Sequence, residues 1–215
     1  MTLRFALVGC GGMGLRHLHG LAEVARTFKS VTVEAVCDRH RQAAEHVASE
    51  AERLMGVRPA VFTDFSEMLE KADGLDALDI VTDTRTHHSF AIAGLEAGLH
   101  VSTEKPMGLT MNVCRQMEAS AQSTGKTLSI AENYRRDPMN RLAKALIDGG
   151  AIGEPYFLID VGVGGGWDLL HDTGWRALKS RGGSLILERG VHVSDLFLYF
   201  LGEVDTIYAA SAVFQ

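Results

Sequence analysis

The chain has 215 residues, 46% hydrophobic and 22% charged, with 23 Gly and only 4 Pro, which excludes disordered, collagen-like and low-complexity classes. Its length suits one large domain, or one domain and part of another. The formal net charge of −6, with no basic stripe, argues against nucleic acid or an anionic membrane as the main partner.

The apolar period switches repeatedly along the chain. Leu3 to Val8 is a short apolar run that stops at glycines and reads as a buried strand. A helix from about Met13 to Phe28 carries Leu15, Leu18 and Leu21 at helical spacing. Val31 to Cys37 is β-branched and strand-like, and an Ala- and Glu-rich helix follows to about Met55. A short strand at Val61-Phe62 precedes a helix opened by Ser66, and Leu78 to Thr82 is the next strand. Ser89 to Ala97 reads as a helix closed by Gly98, Leu99 to Ser102 as a strand, and Thr110 caps a helix to about Ser123. Thr127 to Ile130 is a sixth strand. Strands alternating with helices predict right-handed crossovers and a parallel sheet covered on both faces.

After Asn133 the alternation stops. A helix is expected from about Met139 to Ile147, a strand in EPYFLIDVGVG, an apolar buried helix from about Ser184 to Leu201, and a strand from Thr206 to Phe214. These pieces do not complete a layered domain, so the second domain reads as unfinished. The fold class is therefore α/β, a doubly wound parallel sheet over residues 1–133 followed by an incomplete α+β second domain over 134–215. Three cysteines, Cys10, Cys37 and Cys114, cannot all pair with one another and suit a reducing compartment. No signal-like leader or uninterrupted membrane span is read, and a cytoplasmic protein is expected.

Gly9-Cys10-Gly11-Gly12-Met13-Gly14 is a G-x-G-x-x-G run between a strand and a helix, the setting in which that pattern binds a dinucleotide. Gly9 permits the tight turn, Gly11 lets a pyrophosphate approach, and Gly14 lets helix and strand pack closely. The helix N-terminus adds unpaired N–H groups and partial positive charge. Asp38, at the end of the second strand, can accept from both ribose hydroxyls of NAD and would repel the 2′-phosphate of NADP. Arg39 beside it could stack on adenine or pair with that phosphate, so NAD is favoured and NADP stays open.

Lys105 follows the fifth strand and precedes Pro106, which places it at the carboxyl edge of the sheet, where ligands bind. An ammonium there can stabilise alkoxide character on a reacting oxygen. Glu188 and His192 lie at i and i+4, with Asp195 further along the same face of an otherwise apolar helix. Such groups are costly there unless they line a site. His192 suits a general base, Glu188 would orient it or bind substrate hydroxyls, and Asp195 would brace the helix. No spacing suggests a metal site.

The segment DIVTDTRTHHSFAIAGLEAGLHVSTEKP, with NYRRDP, GAIGEPY, GWR and GGSLILERGVHVSDLFLYFLG, resembles the glucose–fructose oxidoreductase/inositol dehydrogenase (Gfo/Idh/MocA) family from end to end. The resemblance implies a Rossmann domain, a second domain for substrate and self-association, and hydride transfer between a nicotinamide and a secondary alcohol of a sugar, cyclitol or related polyol. It places Thr82 in a turn facing the cofactor, His87 beside the nicotinamide, and Glu104 on the cofactor or a backbone N–H. Asn133, Trp175 and Arg176 become candidate cofactor contacts, and Lys105, Glu188 and His192 the catalytic group. It also implies a homo-oligomer for the complete protein. His17, His19 and His88 read as surface or helix residues. Two departures stand out: Asp83 replaces the family's Pro, and Glu188 its Asp. A redox-neutral NAD-dependent glycosidase and a non-catalytic NAD(P)-sensing protein remain open as alternatives.

Overall fold

The computed structural model describes residues 2–162, 178 and 185–210, in two compact units, Met1–Ala131 and Glu132–Gln215. The first unit alternates strands and helices: β1 (Leu3–Val8), α1 (Gly12–Phe28), β2 (Val31–Cys37), α2 (Arg41–Met55), β3 (Ala60–Phe62), α3 (Phe65–Lys71), β4 (Ala77–Ile80), α4 (Thr84–Glu96), β5 (His100–Thr103), α5 (Met111–Thr124) and β6 (Leu128–Ile130). The sheet order is β3-β2-β1-β4-β5-β6, with every neighbouring pair parallel.

The period of two along each strand sends alternate side chains to opposite faces. Ala6, Val8, Leu78, Ile80 and Val101 form one core layer with Met68, Ala91, Leu95 and Met117. Leu7, Val33 and Val36 form the other with Leu18, Ala44, Val47 and Ala48. Strand order reverses at β1, flanked by β2 and β4, so the loop after β1 opens into the crevice at the sheet's carboxyl edge.

Local capping sets the helix starts. Asp64 accepts from the Glu67 N–H at 2.8 Å and opens α3 two residues before the expected Ser66. Thr110 caps α5 through the Val113 N–H. Helix α4 begins at Thr84, well before Ser89, because Thr84 and His87 are themselves buried. Polar residues hid that first turn from the apolar pattern.

The second unit holds a 3-10 turn (Tyr134–Arg136), α6 (Pro138–Asp148) and α7 (Leu185–Leu201). Asp137 caps α6 through the Met139 N–H at 2.9 Å, with Pro138 in the first turn, where a missing N–H costs nothing. Two expectations are corrected. Residues 155–162 and 206–210 carry no regular structure. A strand needs a neighbour to take its N–H and C=O groups, and alternation alone supplies none. Helix α7 is also less covered than its composition implied. Among its described side chains only His192 is buried, and Ile186 is 68% exposed. No helix among the described residues is long and apolar enough to cross a membrane.

Candidate functional site

The glycine run after β1 divides into two kinds of position. Gly9 has φ +100°, and a Cβ on it would lie 2.6 Å from the Val81 carbonyl oxygen. A Cβ on Gly14 would lie 2.0 Å from the Gly9 carbonyl oxygen. Both are closed to any side chain by backbone packing. Gly11 and Gly12, in contrast, have nothing among the described residues within 4 Å of an added Cβ. Helix α1 therefore starts beside open space, with no side-chain cap and no acidic residue in its first turn. Its first N–H groups have no partners within the helix and carry the positive end of its dipole. Met13, in that turn, is half-buried.

Asp38, directly after β2, braces this loop. Its Oδ2 accepts the Cys10 N–H and its Oδ1 the His40 N–H, both at 2.8 Å. Arg39 and His40 are exposed beside it, the Arg39 Nε donating to the His40 Nε2 at 3.2 Å. Burial, aided by the Asp38 charge, pushes the Cys10 thiol up to about 12, so this cysteine stays protonated and inert.

Beyond β4 and β5 the chain supplies a second wall. The Thr82 hydroxyl meets the Thr86 hydroxyl at 2.8 Å. His87 is 1% exposed, with Nδ1 at 2.9 Å from the Pro106 carbonyl oxygen and Nε2 at 3.1 Å from that of Thr82. Both ring nitrogens thus face main-chain carbonyls, and His87 ties the two loops together. Burial holds its pKa below the ordinary range. Asp83, where the family has Pro, lies 3.5 Å from the Arg85 guanidinium through Oδ1.

Glu104 is buried, and its Oε2 accepts the Lys105 N–H at 2.8 Å. Its Oε1 lies 3.2 Å from His17 Nε2, while His17 Nδ1 lies 2.8 Å from Asp79 Oδ2. His17, read from the sequence as a surface or helix residue, lies on α1 and is half-buried at the centre of a charged triad. Burial alone would lower its pKa. The hydrogen bonds and charges of Asp79 and Glu104 outweigh that and push it up to about 10. Lys105 is half-buried, and its peptide bond to Pro106 is cis.

In the second unit His192 is 7% exposed, and its Nδ1 lies 2.7 and 2.8 Å from the two Glu132 carboxylate oxygens. Glu132 also accepts the Tyr134 N–H at 2.9 Å, and the Tyr134 ring stacks on the imidazole at 4.0 Å with planes 8° apart. Glu132 was not singled out in the sequence, where Glu188, one turn away, was expected to orient His192. Its only signal was an acidic residue two positions after the end of β6. An Nδ1–H held by a carboxylate leaves Nε2 as the nitrogen with the lone pair. Asp195 receives a two-pronged contact from Arg135, with Nε at 2.7 Å, so it anchors α7 to the turn. Glu188 is half-buried, and Asn133 leads into the turn. Trp175 and Arg176 lie outside the described residues. No group of three metal-ligating side chains occurs among the described residues.

The sequence model of the Gfo/Idh/MocA oxidoreductase family, NAD-binding Rossmann fold, matches residues 3–132, and that of the family's C-terminal domain matches residues 140–215. The chain belongs to the Gfo/Idh/MocA family. Among its relatives is D-apiose dehydrogenase of Paraburkholderia graminis, 29% identical over 96% of this chain and 52% of that protein. Levoglucosan dehydrogenase of Pseudarthrobacter phenanthrenivorans is 30% identical over 97% of this chain and 53% of its own. The chain thus spans about half the length of the curated relatives it matches. The WlbA dehydrogenase of Bordetella pertussis, crystallised with NADH and UDP-GlcNAcA, superposes with a TM-score of 0.81 at 25% identity, covering 100% of this chain and 59% of its own.

Proposed function

We propose that the protein is an NAD-dependent dehydrogenase acting on a secondary alcohol of a sugar, cyclitol or related polyol. The observation that carries this reading is the Glu132–His192 pair, which fixes one imidazole tautomer and leaves Nε2 able to take a proton. The residues of the first unit fit a dinucleotide. Gly11 and Gly12 leave open space at a helix N-terminus, which suits a pyrophosphate. Asp38 keeps unused lone pairs for ribose hydroxyls and carries a charge that disfavours a 2′-phosphate, while Arg39 would lie along adenine. Thr82, Glu104 and Lys105 would line the nicotinamide end, with Asn133, Trp175 and Arg176 as further contacts.

When bound, the oxidised nicotinamide supplies the hydride acceptor. His192 Nε2 would take the hydroxyl proton, and Glu132 would stabilise the imidazolium that results. The Lys105 ammonium would donate to the substrate oxygen and offset its developing negative charge. Glu188 would bind substrate hydroxyls. The polyol class is supported by the sugar-dehydrogenase relatives, and the second domain would supply specificity and self-association, as the family resemblance implies.

The test is calorimetric titration of NAD and NADP, together with turnover on a panel of sugars and cyclitols. NAD should bind more tightly than NADP, and Asp38→Ala should narrow the gap. Lys105→Ala and His192→Ala should keep NAD affinity within a few-fold and lower kcat by about 10²–10⁴. A loss of NAD affinity equal to the loss of rate would overturn the assignment and leave these residues as cofactor holders.

A further inference from the structure

His17 comes from α1, Asp79 from the middle of β4 and Glu104 from the end of β5, with sequence separations of 62 and 87 residues within the triad. Asp79 sits between Leu78 and Ile80 in a strand that is buried throughout, paired with β1 and β5. A carboxylate there is expensive unless a charged partner meets it. Its Oδ1 is buried with no hydrogen-bond partner among the described residues, so the cost of burying that carboxylate is met through Oδ2 and His17.

A neutral amide in place of the imidazole would present a carbonyl oxygen to one of the two carboxylates. Only a group with two N–H donors on opposite sides satisfies both at once, and that is an imidazolium. Charge therefore alternates along the line: Asp79 negative, His17 positive, Glu104 negative, and then Lys105. The groups facing His17 from the packed elements are these two carboxylates, with Lys105 adding its charge at Glu104.

The far end of the line is what gives the triad a role beyond stability. Glu104 spends one oxygen on His17 and the other on the Lys105 main-chain N–H. With Oε1 held, the carboxylate cannot rotate, and the peptide plane leading into Lys105 is fixed with it. We propose that His17 is a positioning residue that, through Glu104, orders the main chain at Lys105 and so aims its ammonium. The aiming of the ammonium rests on the dehydrogenase reading above, whereas the ordering of the main chain does not. The raised pKa of His17, about 10, agrees with a ring that stays doubly protonated at every working pH.

The experiment is NMR on the full chain with labelled backbone amides and histidine rings, comparing wild type with His17→Gln. In wild type the His17 ring should keep both N–H protons above pH 8.5. In His17→Gln the Lys105 amide should exchange with solvent at least tenfold faster, while the core amides of Leu7 and Val36 keep their wild-type rates. Where wild type turns over an alcohol, kcat should fall about tenfold or more with the NAD dissociation constant unchanged. An unchanged Lys105 exchange rate in folded His17→Gln, or a His17 ring titrating near 6.5, the ordinary value, would overturn the proposal. Should His17→Gln fail to fold, Asp79→Asn carries the same test, because it keeps the shape, removes one of the two charges that hold the His17 ring and leaves the Glu104–Lys105 contact itself untouched. A wild-type protein without turnover would overturn the dehydrogenase reading, and the exchange rates would still decide whether His17 orders Lys105.

Discussion

Glu132 does for His192 what no residue on α7 was needed to do: it chooses the tautomer. With Nδ1–H directed at both carboxylate oxygens and Tyr134 flat against the ring, the imidazole has lost its freedom to flip, and Nε2 is the nitrogen left with the lone pair. Replacing Glu132 by Gln keeps an acceptor but removes the charge that stabilises the imidazolium. The expected result is a fall in kcat smaller than the roughly 10²–10⁴-fold cost of losing the base itself. The Glu132→Gln, His192→Ala double variant should be no slower than His192→Ala alone, because the two act as a unit. Steady-state kinetics on the three variants checks it; fully additive losses would mean that Glu132 acts elsewhere. The burial of His192 was legible in the sequence because polar groups on an apolar helix are conspicuous. Glu132 and His17 were not, because their partners lie 60 or more residues away and only the fold brings them together. Asp79 was the one available hint for His17: a carboxylate centred in an apolar strand must have a cation.

Elements were easier to read than partners, wherever their logic is local. The switch of apolar period from two to 3.6 gave the six strands of the parallel sheet, and the glycine run marked its crevice within six consecutive residues. The stretch 155–162 has the same alternation, yet it carries no strand, because pairing is a property of two segments and the pattern describes one. Helix α1 offers a direct test of what its glycines do. Gly20 is exposed in the helix interior with nothing within 4 Å of an added Cβ, so Gly20→Ala should stabilise by about 0.5–1 kcal/mol through lower unfolded-chain entropy and better helix propensity. Gly14→Ala drives a Cβ into the Gly9 carbonyl oxygen and should destabilise the unit and weaken NAD binding together. Urea midpoints for the two variants decide it, since propensity alone would give both the same sign.

Across the whole molecule, buried titratable groups set how stability varies with pH. Burial depresses the pKa of His87, against the opposing pull of the two carbonyls that face its ring nitrogens. Its contribution is present above the unfolded value of about 6.5 and is lost as pH falls through its lower folded pKa. His17 runs the other way. Its folded pKa, about 10, is raised above the unfolded value, so its contribution is complete below about 6.5 and is lost as pH rises through the folded pKa. The buried thiols Cys10 and Cys37, pushed up to about 12 and about 11, also lose stability on the alkaline side, but only above the unfolded thiol value of about 8.5. Between about pH 7 and 8.5 the decline therefore belongs to His17. One proton retained by the folded state gives a slope approaching about 1.4 kcal/mol per pH unit. Urea unfolding followed by far-UV circular dichroism at successive pH values should show that decline in wild type. In His17→Gln the curve should be flat from about pH 7 to 8.5 and bend downward only where the thiols begin to ionise. A wild-type curve already flat across that window would mean that the folded chain does not hold the His17 proton and that the triad is not charged as its geometry requires.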